Sequence, residues 1–229
     1  MDVAILMRAV VFDFDGVLVD SEGLHFRAQR DALLTAGIAI EKDEYYRHYL
    51  AYDDRGAIRI ALERHGQPSD RERVEALARI KAQRYAELLP EVPFFAGARE
   101  LVRALAADYP LGVASGALHR EIEGILTAGG LRDAFGAIVG ADDVGHTKPH
   151  PEPYLTALKR LAPRAPGLLP AECLVFEDSV PGIASGLAAG MKVVGVTNSY
   201  PADKLRSAHR VVDSLEGLTP AELKSLFAG

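Results

Sequence analysis

The chain has 229 residues, 48% of them apolar and 25% charged, enough for one large domain or a core with an insertion. That composition supports a sizeable core, so the fold requires no disulfide or structural metal. The net charge of −6 comes with no block of basic residues, and no apolar run approaches a membrane span, which argues against nucleic-acid and membrane partners.

The N-terminal "MDVAILMR" is too short and too acidic at its start for a secretory signal, so a cytoplasmic protein is expected, and the residues before Met7 read as an extension or a start-site choice. "RAVVFDF" (Arg8–Phe14) reads as a first strand. From about Ser21 to Phe95 no strand is evident. Apolar residues there recur at helical spacing: Leu24, Ala28, Ala32 and Leu33, then Ile58, Ala61 and Leu62, then Val74, Leu77, Ile80 and Ala82. Turn signals "GIAI", "HGQPSD" and "PEVPF" separate these groups. The segment is too long for a loop and reads as an inserted helical cap domain.

After it, short β-branched runs alternate with helical patterns. Strands are expected at Pro110–Ser115, Ala137–Gly140, Cys173–Asp178, Lys192–Val196 and His209–Asp213, with helices at Ala98–Asp108, Arg120–Gly129, Glu152–Leu161 and Gly182–Ala189. Such runs suit parallel strands covered on both faces, and the alternation predicts a doubly wound, Rossmann-like α/β sheet. The expected division is a core of residues 1–20 and 96–229 and a cap of residues 21–95. Cys173, the only cysteine, lies in the apolar "ECLVFED" and reads as a buried packing thiol.

In an open parallel sheet, ligands bind beyond the carboxyl ends of the strands. Polar residues collect there. The first strand ends in Asp13 and Asp15, followed by Gly16; the second in Ser115 and Gly116. The third leads through Asp142 and Asp143 to Lys148, and the fourth ends in Glu177 and Asp178. Each has a structural explanation as well: a helix cap, a solvated turn residue, a charge favouring a helix dipole. Their arrival at one edge of one sheet points to phosphoryl chemistry. A carboxylate can attack phosphorus, a second acid can protonate the leaving oxygen and later activate water, and a hard cation such as Mg²⁺ offsets the crowded negative charge. Lys148, Ser115 and backbone N–H groups near Gly116 can hold the remaining phosphate oxygens. His119, His146 and His150 lie near these motifs and read as turn and surface residues.

With those residues placed, the sequence resembles the haloacid dehalogenase superfamily of phosphotransferases along nearly its whole length. "DFDGVLVDSE" is similar to the first motif, with Asp13 as nucleophile and Asp15 as general acid/base. "VASGA" is similar to the second, with Ser115; "TKPHPEPY" to the third, with Lys148; "FEDSVPGIASGLAAGM" to the fourth, with Glu177 and Asp178 at the metal. The resemblance implies Mg²⁺ held by Asp13, Glu177, Asp178 and the Asp15 backbone carbonyl. The helical insertion resembles the cap of the subgroup with phosphoglycolate phosphatase and β-phosphoglucomutase. His25 and Arg55 match positions that face the active site from the mutase cap. Otherwise His25 reads as a helix-surface histidine and Arg55 as a partner of Asp53 or Asp54.

Asp15 argues against dehalogenation and phosphonate cleavage, since those relatives lack the acid. "SGALHRE" departs from the mutase's serine-rich segment and favours a phosphatase for a small phosphorylated metabolite, a sugar phosphate or phosphoglycolate-like acid. A phosphosugar mutase and a non-catalytic binding module are the alternatives. A monomer and a homodimer are equally compatible with the sequence.

Overall fold

The computed structural model describes residues 5–50 and 52–227. Of the N-terminal stretch read as an extension, residues 1–4 lie outside the described residues. The chain divides into two compact units, one running to Asp20 and resuming at Pro93, the other Ser21–Val92.

In chain order, β1 (Ala9–Phe12) is followed by α1 (Glu22–Leu34), α2 (Lys42–His48), α3 (Asp54–Arg64) and α4 (Arg71–Leu88). Then come α5 (Ala98–Ala106), β2 (Leu111–Ala114), α6 (His119–Ala128), β3 (Phe135–Val139), α7 (Glu152–Leu161) and β4 (Cys173–Glu177). The chain closes with α8 (Val180–Ala188), β5 (Lys192–Val196), α9 (Ala202–Leu205), β6 (Arg210–Val212) and α10 (Pro220–Lys224). The six strands form one sheet in the order β3-β2-β1-β4-β5-β6, all pairs parallel. This is the doubly wound plan expected from the alternation. The order reverses at β1 and β4, and there the crevice beyond the carboxyl ends opens.

β1 reads AVVF and is buried at every residue, as a central strand covered on both faces must be. Phe12 stacks on Phe176 of β4 with centroids 5.0 Å apart and meets Phe135 of β3 edge-on at 6.1 Å. Phe135 places the start of β3 two residues ahead of the expected Ala137. Cys173 is fully buried, and burial pushes its thiol up to about 12, so it packs and does not react.

The first unit resumes earlier than the expected residue 96. Phe94 forms a bridge with Val19, and the Phe95 N–H donates to the Leu18 carbonyl at 3.0 Å, so the return strap belongs with β1.

In the helical unit, Leu33, Ile58, Ala61, Leu62, Val74 and Leu77 build a core of their own. Ile38 and Ile40, inside the "GIAI" turn signal, are also buried, because the turn folds its isoleucines inward. Asp53 caps α3 by accepting from the Gly56 N–H at 2.9 Å, and Asp70 caps α4 by accepting from the Arg73 N–H at 3.0 Å. The α4 stripe differs from the expected one. Its buried positions run Val74, Leu77, Ala78, Lys81 and Tyr85, while Ala82 is exposed. Helical spacing continues through a lysine, whose ammonium is accommodated by partners described below.

Candidate active site

Register brings the acids together. Phe12 pairs with Phe176, so Asp13, just past β1, stands level with Glu177 at the end of β4; the Asp13 N–H donates to the Phe176 carbonyl at 2.9 Å. Asp13, Glu177 and Asp178 are all buried, with carboxylate oxygens within 4.8 Å of one another. Lys148 reaches in from the loop after β3. Its ammonium donates to Asp13 Oδ1 and Glu177 Oε1, each at 2.6 Å.

Three carboxylates against one ammonium leave an excess of buried negative charge. Burial pushes the Asp13 carboxyl well up; Lys148 opposes this, while Glu177 and Asp178 push the same way. Burial raises Asp178 to about 6. Burial alone would lower the Lys148 ammonium, but Asp13 and Glu177 outweigh it and hold it above its ordinary value. The cluster therefore suits a hard divalent cation, which would relieve the repulsion among oxygen donors.

Glu177, expected among the cation's ligands, lies in the same cluster as Asp13 and Asp178 and has further partners. Its Oε1 accepts from Lys148 and from the Tyr154 hydroxyl at 2.9 Å. Its Oε2 accepts from the Asp178 and Ser179 N–H groups at 3.0 Å and from Ser179 Oγ at 2.9 Å. A carboxylate offers about four lone-pair sites, and five donors share them. Glu177 is a fixed anchor for Lys148 and for the start of α8.

Two glycines permit these approaches. Gly16 has φ +80°, and a Cβ there would lie 1.8 Å from Asp178 Oδ2. A Cβ on Gly182 would lie 1.7 Å from Glu177 Oε1.

Asp15 is half-buried, and its Oδ2 accepts from Ser115 Oγ at 3.3 Å; that hydroxyl in turn accepts from the Ala117 N–H at 3.0 Å. Gly116 is exposed, with no atom within 4 Å of where a Cβ would sit, so a ligand can approach its backbone closely. The structure thus gathers Asp13, Asp15, Ser115, Gly116, Lys148, Glu177 and Asp178 at one edge of the sheet.

Asp142 and Asp143 serve the loop itself. The His119 N–H donates to Asp142 at 2.8 Å, and Asp143 accepts from the Gly140 N–H and from Arg160 and pairs with His119. Arg160 holds the Asp143 carboxyl well below the usual range.

In the helical unit, His25 and Arg55 both have partners. His25 Nδ1 lies 2.8 Å from the Lys81 ammonium, and its ring stacks on Tyr85 with centroids 4.1 Å apart. Lys81 also pairs with Asp54 at 2.7 Å. Burial, then Lys81, lowers His25 to about 4, so the imidazole is neutral at ordinary pH. Arg55 makes a two-pronged pair with Glu75, at 2.7 and 3.1 Å, and not with Asp53 or Asp54.

Four contributors escaped the sequence reading. Tyr154 lies on the buried face of α7, and a buried phenol needs a partner; that was the available signal. Lys81 interrupts an apolar stripe. Ser199 donates to Asp178 Oδ2, and Asn198 donates to the Gly16 carbonyl at 2.7 Å; the "TNSY" following β5 gave only its position at the same sheet edge.

The model of the haloacid dehalogenase-like hydrolase family matches residues 10–196, from β1 through β5. The chain belongs to the haloacid dehalogenase-like hydrolases. Among members of this family, it is 32% identical to hexitol phosphatase B of Escherichia coli K12, over 96% of each chain. It is 33% identical to protein CbbY of Rhodobacter capsulatus, over 85% of this chain and 87% of that one. The crystal structure of β-phosphoglucomutase from Clostridium difficile superposes with a TM-score of 0.73 at 25% identity, covering 97% of each. Among the described residues, no helix is long and apolar enough to cross a membrane.

Proposed function

We propose that this haloacid dehalogenase-like hydrolase is a Mg²⁺-dependent phosphatase of small phosphorylated metabolites, with sugar phosphates as the favoured class. The observation that carries the reading is the buried Asp13 carboxylate, gripped at one oxygen by Lys148 and crowded by Glu177 and Asp178 at the switch point of the sheet. The similarity to hexitol phosphatase B supports a sugar-phosphate substrate.

Asp13, Glu177, Asp178 and the Asp15 backbone carbonyl would hold the cation. Bound there, Mg²⁺ supplies charge neutralisation for the acids and the phosphoryl group. Asp13 attacks phosphorus, forming a bond from its carboxylate oxygen as the ester P–O bond breaks. Asp15 gives its proton to the departing alkoxide. It then takes a proton from water, which attacks the aspartyl-phosphate, releases inorganic phosphate and restores Asp13. Lys148 and Ser115 hold phosphoryl oxygens, and Glu177 keeps Lys148 aimed. The helical unit serves as a cap that excludes bulk water during transfer. Arg55 binds a distal anionic group by exchanging Glu75 for it, since exposed pairs of this kind are worth little. Arg55→Ala should raise KM for substrates with a second anionic group and leave aryl phosphate hydrolysis unchanged; equal effects on both would remove Arg55 from specificity.

The deciding experiment is Mg²⁺-dependent phosphate release, first from an aryl phosphate and then across phosphorylated sugars and acids. Turnover that ceases with chelator supports the reading. Its absence across the panel favours a binding module. The likeness to β-phosphoglucomutase keeps a second reading, phosphosugar mutase. Glucose 6-phosphate formed from β-glucose 1-phosphate and bisphosphate, without matching phosphate release, would replace hydrolysis with mutation.

A further inference from the structure

The loop carrying Lys148 holds a second cluster that the proposed chemistry does not use. His146 and His150 stand two residues to either side of Lys148, and Glu152 opens α7. One donor atom from each of the three lies within 4.8 Å of the other two. His146 Nδ1 is 2.8 Å from Glu152 Oε2, and His150 Nδ1 is 3.8 Å from the same oxygen. The rings face each other with centroids 4.6 Å apart and a 31° tilt. Glu152 is held from behind: its Oε1 accepts from the Gly145 N–H at 2.8 Å and its Oε2 from the His146 N–H at 3.0 Å. Capping the loop explains the carboxylate. It also explains part of His150, whose Nδ1 accepts from the Glu152 N–H at 3.2 Å, but it does not require the His146 imidazole, since the His146 backbone N–H already donates to Glu152 Oε2.

We propose that His146, His150 and Glu152 form a binding site for a borderline transition-metal cation, Zn²⁺ or a close relative, separate from the hard-cation cluster of Asp13 and Asp178. Two imidazoles and a carboxylate suit Zn²⁺, whereas Mg²⁺ prefers all-oxygen surroundings. Tetrahedral bonds of about 2.0–2.1 Å bring ligand atoms to roughly 3.3 Å of one another, so the His146–Glu152 contact of 2.8 Å must open, and the His150–Glu152 one of 3.8 Å close, by about half an ångström each. The two rings have room to do so, with their side chains 70% and 51% exposed. The backbone need not move: the Ser185 hydroxyl pins the His150 carbonyl at 2.6 Å. Water completes the coordination. A cation there ties together the chain on both sides of Lys148 and stiffens the segment that aims its ammonium at Asp13 and Glu177.

Zn²⁺ competition against a chromogenic chelator tests this on the full chain in millimolar Mg²⁺, with parallel thermal melts. The wild type should bind a single Zn²⁺ through this cluster and melt higher with it, because the ion binds only the native loop. His146→Ala and His150→Ala should each weaken that binding by more than about tenfold and abolish the melting shift. His146→Gln and His150→Gln, which keep bulk and polarity, repeat the comparison should an alanine variant fold poorly by circular dichroism. Absence of Zn²⁺ binding, displacement of Zn²⁺ by Mg²⁺, or loss in only one or neither histidine variant would overturn the site.

Discussion

Asp13 is the residue on which the proposed chemistry turns. Asp13→Asn keeps the size of the side chain but removes the attacking charge, so phosphate release should fall to background while the melting transition persists. Stopped assays with circular dichroism on the same samples check both; appreciable residual turnover would exclude the covalent route. In the helical unit, Lys81 is a buried cation beside a neutral histidine. Burial and then Lys81 hold His25 near 4. Lys81→Met should raise the His25 value measured by NMR titration, without returning it to 6.5, because burial remains. No change would mean the contact at 2.8 Å is not made in solution. The acids and Ser115 were legible in the sequence because they follow short apolar runs at strand ends, and Lys148 because it lies in the loop that follows one. Lys81 was not, because periodicity weighs apolar residues and a lysine scores as surface. Nor could spacing reveal that Glu177 would spend its lone pairs on five donors; that depends on Tyr154 of α7 and Ser179, the cap of α8, meeting at one carboxylate.

Elements hold these side chains in place through close packing at glycines. Gly182 lies in the first turn of α8, against the buried Glu177 carboxylate. Gly182→Ala should destabilise the protein by about 1–3 kcal/mol, the usual range for overpacking, and should reduce turnover by displacing Glu177 and with it Lys148. Urea unfolding and kcat would read the two effects; wild-type values for both would show that α8 tolerates the shift. The six strands and the helices α5–α8 were readable to within a few residues, because their apolar runs are continuous; the short α9 and α10 were not foreseen. α2 was not foreseen. Its sequence KDEYYRH buries only Tyr45, whose hydroxyl reaches Glu22 at 2.5 Å, so no amphipathic repeat announces it.

At the scale of the whole molecule, cation binding, pH and stability are linked. Asp13 and Asp178 both have carboxyls raised by burial, Asp178 to about 6. Protonation of such groups favours the native, metal-free protein. That contribution is complete below the ordinary carboxylate range, and the Asp178 share of it is lost as pH rises through about 6. A cation favours the ionised acids instead. The rise in Tm on adding Mg²⁺ should therefore be small below pH about 6 and grow above it; a pH-independent rise would place the ion away from these acids.

The sheet order has a consequence for synthesis. β1 is made first yet ends in the middle, between β2 and β4. Until the ribosome has delivered Cys173–Glu177, its AVVF segment has an unsatisfied backbone edge and no stacking partner for Phe12. Release of a nascent chain halted before residue 173 should yield a sticky, chaperone-dependent species. The AVVF strand must wait through the 160 residues that separate Phe12 from Cys173 before both its edges come to rest.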